Sequence, residues 1–147
     1  YYVRGQRPYL SREFFGQLIT QMPQQILLIK ASRDEQGIAA ALFFKDEQTL
    51  YGRYWGAVEQ VDCLHFEVCY YQGIEYAITQ QLQFFDPGTQ GEHKLIRGFA
   101  PIYTYSVHWL ARPEFMQAVQ NYCVQEKEYI DNYYQAALAS TPFKQTS

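Results

Sequence analysis

The strongest constraint on the fold is a helical repeat that follows three strand-like runs. From Asp62 to Gln81, and on to Leu82, the residues Leu64, Val68, Tyr71, Glu75, Ile78 and Leu82 recur at the 3.6-residue spacing of an amphipathic helix, with Asp62 in place to cap it. Glu75 is the polar member of that stripe, and a carboxylate on a buried stripe must be paired, hydrogen-bonded or protonated. Ahead of the helix, Gln25 to Ser32 and Ile38 to Lys45 are apolar runs separated by Asp34-Glu-Gln-Gly37, which reads as an antiparallel hairpin. Thr49 to Val58 then alternates as a third strand, placing Tyr51, Arg53 and Trp55 on one face and Leu50, Gly52 and Tyr54 on the other.

The flanking segments complete the order. Residues 1 to 10 show no periodicity, and Ser11 stands at an N-cap position before Phe14, Phe15, Leu18, Ile19 and Met22, spaced three and four apart and stopped by Pro23. Phe84 and Phe85 begin a short strand, Ile102 to Leu110 reads as extended, and Pro113 opens a last helix with Phe115, Val119, Tyr122, Tyr129 and Tyr133 along one side. The tail from Ser140 to Ser147 is expected to fray. Antiparallel strands followed by strand–helix alternation predict one α/β domain of α+β type over residues 1–147, with helices on a mixed, mostly antiparallel sheet. That order is compatible with the GNAT acyltransferase fold, an analogy that says little about chemistry by itself.

Bulk properties narrow the partners. With 12 Lys and Arg against 15 Asp and Glu, a formal charge of −3 offers no general attraction for DNA or other polyanions, so any phosphate contact is local. Three cysteines, Cys63, Cys69 and Cys123, show no paired metal-ligand spacing and read as reduced thiols of a cytoplasmic protein. Three histidines in unrelated contexts argue against a zinc site, so no metal is expected. No apolar run reaches the roughly 20 residues that span a bilayer. The chain starts at Tyr1 without a methionine, which is expected of a processed, truncated or excised piece.

The polar chemistry concentrates between Asp86 and Trp109, where Gly88, Gly91 and Gly98 free the backbone and Glu92, His93, Lys94, Arg97 and His108 supply titratable or cationic groups. Amides of the Gly91 turn with Lys94 can hold an anionic oxygen, and Arg97 beside Gly98 can converge on the same phosphate or carboxylate. An exposed loop with ordinary charges is the plainer account, because short glycine-plus-lysine patterns recur by chance. His65 and Glu67, two apart, fall on different helix faces and cannot share a metal. His65 can act as a general base or be a satisfied structural histidine, and His108, at a strand end beside Trp109, has the same two readings. Ser106 and Cys69 lack the local signatures of serine or cysteine nucleophiles. Tyr51, Arg53 and Trp55 either wall a groove or pack against a helix.

Three motifs in order carry a family resemblance. Leu50-Tyr-Gly-Arg-Tyr-Trp-Gly56, then His65-Phe-Glu-Val-Cys-Tyr-Tyr71 with Gly73-Ile-Glu75, then Gly91-Glu-His-Lys-Leu-Ile-Arg-Gly-Phe99 with Thr104, Ser106, His108 and Trp109 resemble the FemAB-like, DUF482 family. The likeness runs from Arg4-Gly-Gln-Arg-Pro-Tyr9 to Ser140-Thr-Pro-Phe143. It implies a GNAT-like N-acyltransferase or peptidoglycan biosynthesis and recognition protein, of which this chain resembles the C-terminal lobe, the N-terminal lobe being its expected partner. It further implies acyl-CoA or aminoacyl-tRNA as donor and a small amine or cell-wall precursor as acceptor. On this resemblance Lys94 and Arg97, with Gly91 and His93, hold phosphate or carboxylate, while His65, Glu75, Glu92 or His108 handle protons. The stretch Gly56-Ala-Val-Glu-Gln-Val-Asp62 departs from the GNAT pyrophosphate loop, so the usual amide cradle for coenzyme A is not spelled out there. Two further readings stay open: a glycan or peptide recognition module lined by Tyr51, Trp55 and Trp109, and a structural half that docks the other lobe, marked by an exposed apolar patch and homodimerisation.

Overall fold

The computed structural model describes residues 9–89 and 91–143. The chain divides into two compact units, Tyr1–Thr89 and Gln90–Ser147. The first begins with helix α1 (Arg12–Gln21), where Ser11 Oγ accepts the Phe14 amide at 3.3 Å as the predicted cap. A 3₁₀ turn at Pro23–Gln25 leads into strand β1 (Ile26–Arg33), which pairs antiparallel with β2 (Gln36–Lys45) through a two-residue turn at Asp34 and Glu35. Both turn residues have positive φ, 48° and 67°, the geometry that matches the right-handed twist of the strands. Strand β3 (Thr49–Ala57) continues the antiparallel meander. Asp46 closes that connection by accepting the Gln48 and Thr49 amides at 2.8 and 2.7 Å.

Strand β4 (Phe84–Asp86) returns beside β3 in parallel after the intervening helix, giving a four-stranded mixed sheet in the order β1-β2-β3-β4. The mixed, mostly antiparallel sheet expected from the sequence is present. Helix α2 covers residues 64–79 as an α-helical turn Leu64–Phe66, a π-helical stretch Glu67–Tyr71 and an α-helical end Gln72–Thr79. It packs Val68 onto Ala41, Phe43 and Leu50, the fully buried heart of the unit. Phe43 and Leu50 each contribute about 1.5–3 kcal/mol by leaving water. Helix α1 lies on the other face, where Phe15 meets Tyr54 edge to face at 5.8 Å.

Two irregularities overturn sequence expectations in this unit. The β2–β3 register pairs Phe43 with Gly52 but Leu42 with Tyr54, so Arg53 is an extra residue in a β-bulge. An inserted residue reverses the alternation, and Trp55 therefore shares the α2 face with Leu50 and Gly52 instead of lying beside Tyr51. In α2 the π-helical stretch widens one turn. The buried residues are Val68, Tyr70, Gly73 and Ala77, with Val68 and Gly73 five residues apart across the widened turn. Tyr71, Glu75 and Ile78 rotate outward, so Glu75 is exposed and the expected buried carboxylate is not there. Asp62 does not cap the helix either: the cap position is Cys63, at φ 63°.

The second unit contains a 3₁₀ turn at Glu92–Arg97 and helix α3 (Pro113–Ala139), which starts at the expected proline. Ile102 to Leu110 forms no strand, contrary to its alternating pattern. Side chains tie this segment to α3 instead: the Tyr103 hydroxyl donates to Asp131 at 3.0 Å, and its ring stacks on Tyr134 with centroids 4.3 Å apart. Among the described residues no helix is long and apolar enough to cross a membrane. Residues 4–8 of the family likeness and 144–147 of the expected frayed tail lie outside the described residues.

Candidate functional site

In the first unit the β-bulge and the π-helical stretch face each other across a cavity of about 120 Å³. Gly52, Arg53 and Trp55 supply its sheet wall, and His65, Cys69 and Tyr70 its helix wall. Both irregularities recur at functional sites, because each redirects side chains without breaking the element that carries them. An imidazole lines the cavity between them. His65 sits half-buried in an aromatic frame, with Trp55 at 5.3 Å, Tyr70 at 5.4 Å and Phe66 at 5.5 Å between ring centroids.

The remaining wall residues are chemically quieter. Burial pushes the Cys69 thiol up to about 12, so it is no thiolate nucleophile at neutral pH. Arg53 lies with its guanidinium 4.8 Å from the Tyr54 ring centroid. Tyr51 is directed elsewhere, its hydroxyl donating to Asp46 Oδ2 at 2.9 Å. Of the residues singled out in this unit, His65, Arg53 and Trp55 come together, while Tyr51 and Glu75 do not join them. Tyr70 escaped sequence reasoning, and Cys69 entered it only as a discounted nucleophile. Their inward direction follows from the widened turn, which no spacing rule in the chain announces.

In the second unit the glycine-bracketed turn is real and more structured than a surface loop. Gly91 and Gly98 flank it at φ 110° and 89°, conformations open to glycine. A Cβ on Gly91 would strike the His93 ring, and one on Gly98 would meet Phe143 at 2.4 Å. Lys94 is buried, which overturns the plain reading of an exposed loop cation. Arg97 donates from its guanidinium to the His93 carbonyl at 2.7 Å. Lys94 and Arg97 are three residues apart, and positions with that spacing eclipse one another in a 3₁₀ turn. Burial first, then the Lys94 and Arg97 charges, hold the His93 pKa below the usual histidine value. Gly91, His93, Lys94 and Arg97 thus form one cationic turn, with Glu92 exposed at its start.

His108 and Trp109 lie apart from that turn in sequence, on the exposed segment after it. His108 Nε2 and Ser106 Oγ are 2.8 Å apart, and Trp109 is 81% exposed. Among the described residues no three His, Cys, Asp or Glu side chains cluster as metal ligands.

The first unit thus carries a mixed sheet with a cavity between the bulge and the imidazole, and the second a cationic turn between glycines. The chain belongs to the FemAB-like family, described as peptidoglycan biosynthesis/recognition, which it matches over residues 1–145. No curated protein and no solved structure matches it.

Proposed function

We propose that the protein is an N-acyltransferase of GNAT-like type that moves an acyl or aminoacyl group, from acyl-CoA or aminoacyl-tRNA, to an amine of a cell-wall precursor. One observation carries this reading: a half-buried imidazole stands where a β-bulge and a π-helical stretch meet. The attacking amine must lose a proton as its nitrogen bonds to the carbonyl carbon. His65 is the side chain in the cavity whose ordinary pKa, about 6.5, suits that step. As the carbon–sulfur or carbon–oxygen bond to the donor breaks, the same imidazole returns the proton to the leaving group. Arg53 has no partner across β2, and the peptide of a bulge residue stands outside the ladder, available to the developing oxyanion.

The second unit carries groups suited to an anion. Lys94 and Arg97, with Gly91 and His93, suit a phosphate or carboxylate. A second reading, recognition of a glycan or peptide, is favoured by the exposure of Tyr105 and Trp109, at 89% and 81%.

The deciding experiment follows transfer of labelled acetyl, longer acyl and aminoacyl groups from coenzyme A or tRNA to muropeptide amines. His65→Gln should lower the rate at least about 100-fold while the melting temperature holds, the usual worth of a general base. Turnover that survives His65→Gln, or no turnover with any donor, overturns the reading. Muropeptide binding that is lost in Trp109→Ala and kept in His65→Gln would establish recognition instead.

A further inference from the structure

One end of the first unit's sheet forms an open groove of about 860 Å³, which the transfer chemistry does not use. β2 ends there at Lys45, β3 and β4 start there at Thr49 and Phe84, and Gln24 and Gln25 lead into β1. Hydrogen bonds fix this frame. Both Asp46 carboxylate oxygens are engaged, Oδ1 by the Gln48 and Thr49 amides and Oδ2 by the Tyr51 hydroxyl. The Gln48 carbonyl in turn accepts the Gln83 and Phe84 amides at 2.8 and 3.0 Å, which ties the start of β4 to the β2–β3 turn. On this frame the Phe84 ring stands 62% exposed. The carboxamides of Gln24, Gln25 and Gln48 are exposed and make no hydrogen bond among the described residues.

We infer that this groove binds a saccharide, with one pyranose ring laid on Phe84 and its hydroxyls held by the three glutamines. A pyranose has an apolar C–H face and a rim of hydroxyls that both donate and accept. An exposed aromatic ring rimmed by polar groups matches the face. Carboxamides match the rim, each having an acceptor oxygen and two N–H donors. Charge selects against a phosphate: among the described residues of the wall Lys45 is the one cation, set against the carboxylates of Asp46 and Glu47. Size favours an oligosaccharide, since a cavity of about 150 Å³ takes one benzene and 860 Å³ leaves room for more than one sugar ring. The groove shares no residue with the His65 cavity or with the Trp109 segment, so it rests on neither the transfer nor the recognition reading above.

Calorimetric titration of the whole chain with the trimers of N-acetylglucosamine and of β-linked glucose tests it, with a muropeptide stem free of sugar as a third probe. Phe84→Leu keeps apolar bulk but loses the flat face and should weaken the bound trimer about tenfold, whereas Phe84→Tyr should hold it within about twofold. Gln48→Met keeps the length and loses the amide, and should weaken it about fivefold. Both side chains are exposed, so the melting temperatures should hold. His65→Gln and Trp109→Ala should leave the affinity unchanged, which separates this site from the readings above. Tighter binding of the N-acetylglucosamine trimer identifies an acetylated amino sugar, and the reverse a neutral glucan. Absence of saturable binding by either trimer, equal affinity in wild type and Phe84→Leu, loss of affinity in Trp109→Ala, or binding of the stem peptide in place of the trimers overturns the inference.

Discussion

The His65 imidazole meets the Trp55 indole edge to face, with centroids 5.3 Å apart and ring planes at 71°. The Trp55 ring is there because of the bulge at Arg53, which turns it onto the helix face of the sheet. A double-mutant cycle of Trp55→Phe and His65→Ala, followed by urea unfolding, should return a coupling of about 0.5–1.5 kcal/mol, the worth of an oriented ring pair. Additive single-mutant losses would show that the two rings merely share a cavity.

Helix α2 approaches the sheet closely at Gly73. A methyl group there would lie 2.6 Å from Phe85 and 3.3 Å from Phe43. Gly73→Ala should therefore cost about 1–2 kcal/mol, overpacking outweighing the gain in helix propensity. Gly16 in α1 has nothing within 4 Å of its Cβ position, and Gly16→Ala should instead stabilise by about 0.5–1 kcal/mol. Chemical denaturation of both variants checks the opposite signs, and two changes of the same sign would refute the packing argument.

The lowered pKa of His93 makes stability depend on pH in a defined direction. The folded state binds its proton less readily than the unfolded chain, so the unfolded state carries more protons as the pH falls below the unfolded value of about 6.5. This contribution is fully present above that pH and is lost as the pH falls through the folded pKa. The urea midpoint of wild type should drop between pH 7.5 and 5, and His93→Gln should flatten the fall. Arg97→Gln removes one of the two neighbouring charges and should raise the His93 pKa in an NMR titration. An unmoved titration would mean that burial alone sets it.

Cysteine reactivity should separate by burial. Cys63 and Cys123 are exposed, whereas Cys69 is desolvated against the core under α2, which pushes its pKa up to about 12. At pH 8, iodoacetamide followed by peptide mass spectrometry should label Cys63 and Cys123 at least about 100-fold faster than Cys69. Comparable labelling would indicate that the wall between β3 and α2 opens readily.

Single inserted residues mark where the periodicity of this chain stops predicting its fold. Ser11 as a cap, Pro113 at a helix start and the apolar runs on either side of Asp34 were legible because each signal is local: a side chain meets the nearest amides, or a run matches one period. At Gly91 to Gly98 the glycines marked a turn, but the burial of Lys94 within it was not legible, because burial depends on residues packed from elsewhere in the unit. The segment from Ile102 to Leu110 has a strand's alternation but forms none, because a strand needs a neighbour and its Tyr103 is engaged by Asp131 and Tyr134 of α3.

By itself, then, the sequence determined the first helix, the three-stranded meander, the strand at Phe84 and the mixed sheet they build. Only the tertiary structure decided which side chains share the His65 cavity. One extra residue at Arg53 and one widened turn at Glu67–Tyr71 reverse or rotate everything that follows them. Both arise where two surfaces must mate, Gly73 sliding under Phe85 and Trp55 turning to meet His65, and a demand made by a distant surface leaves no period in the chain.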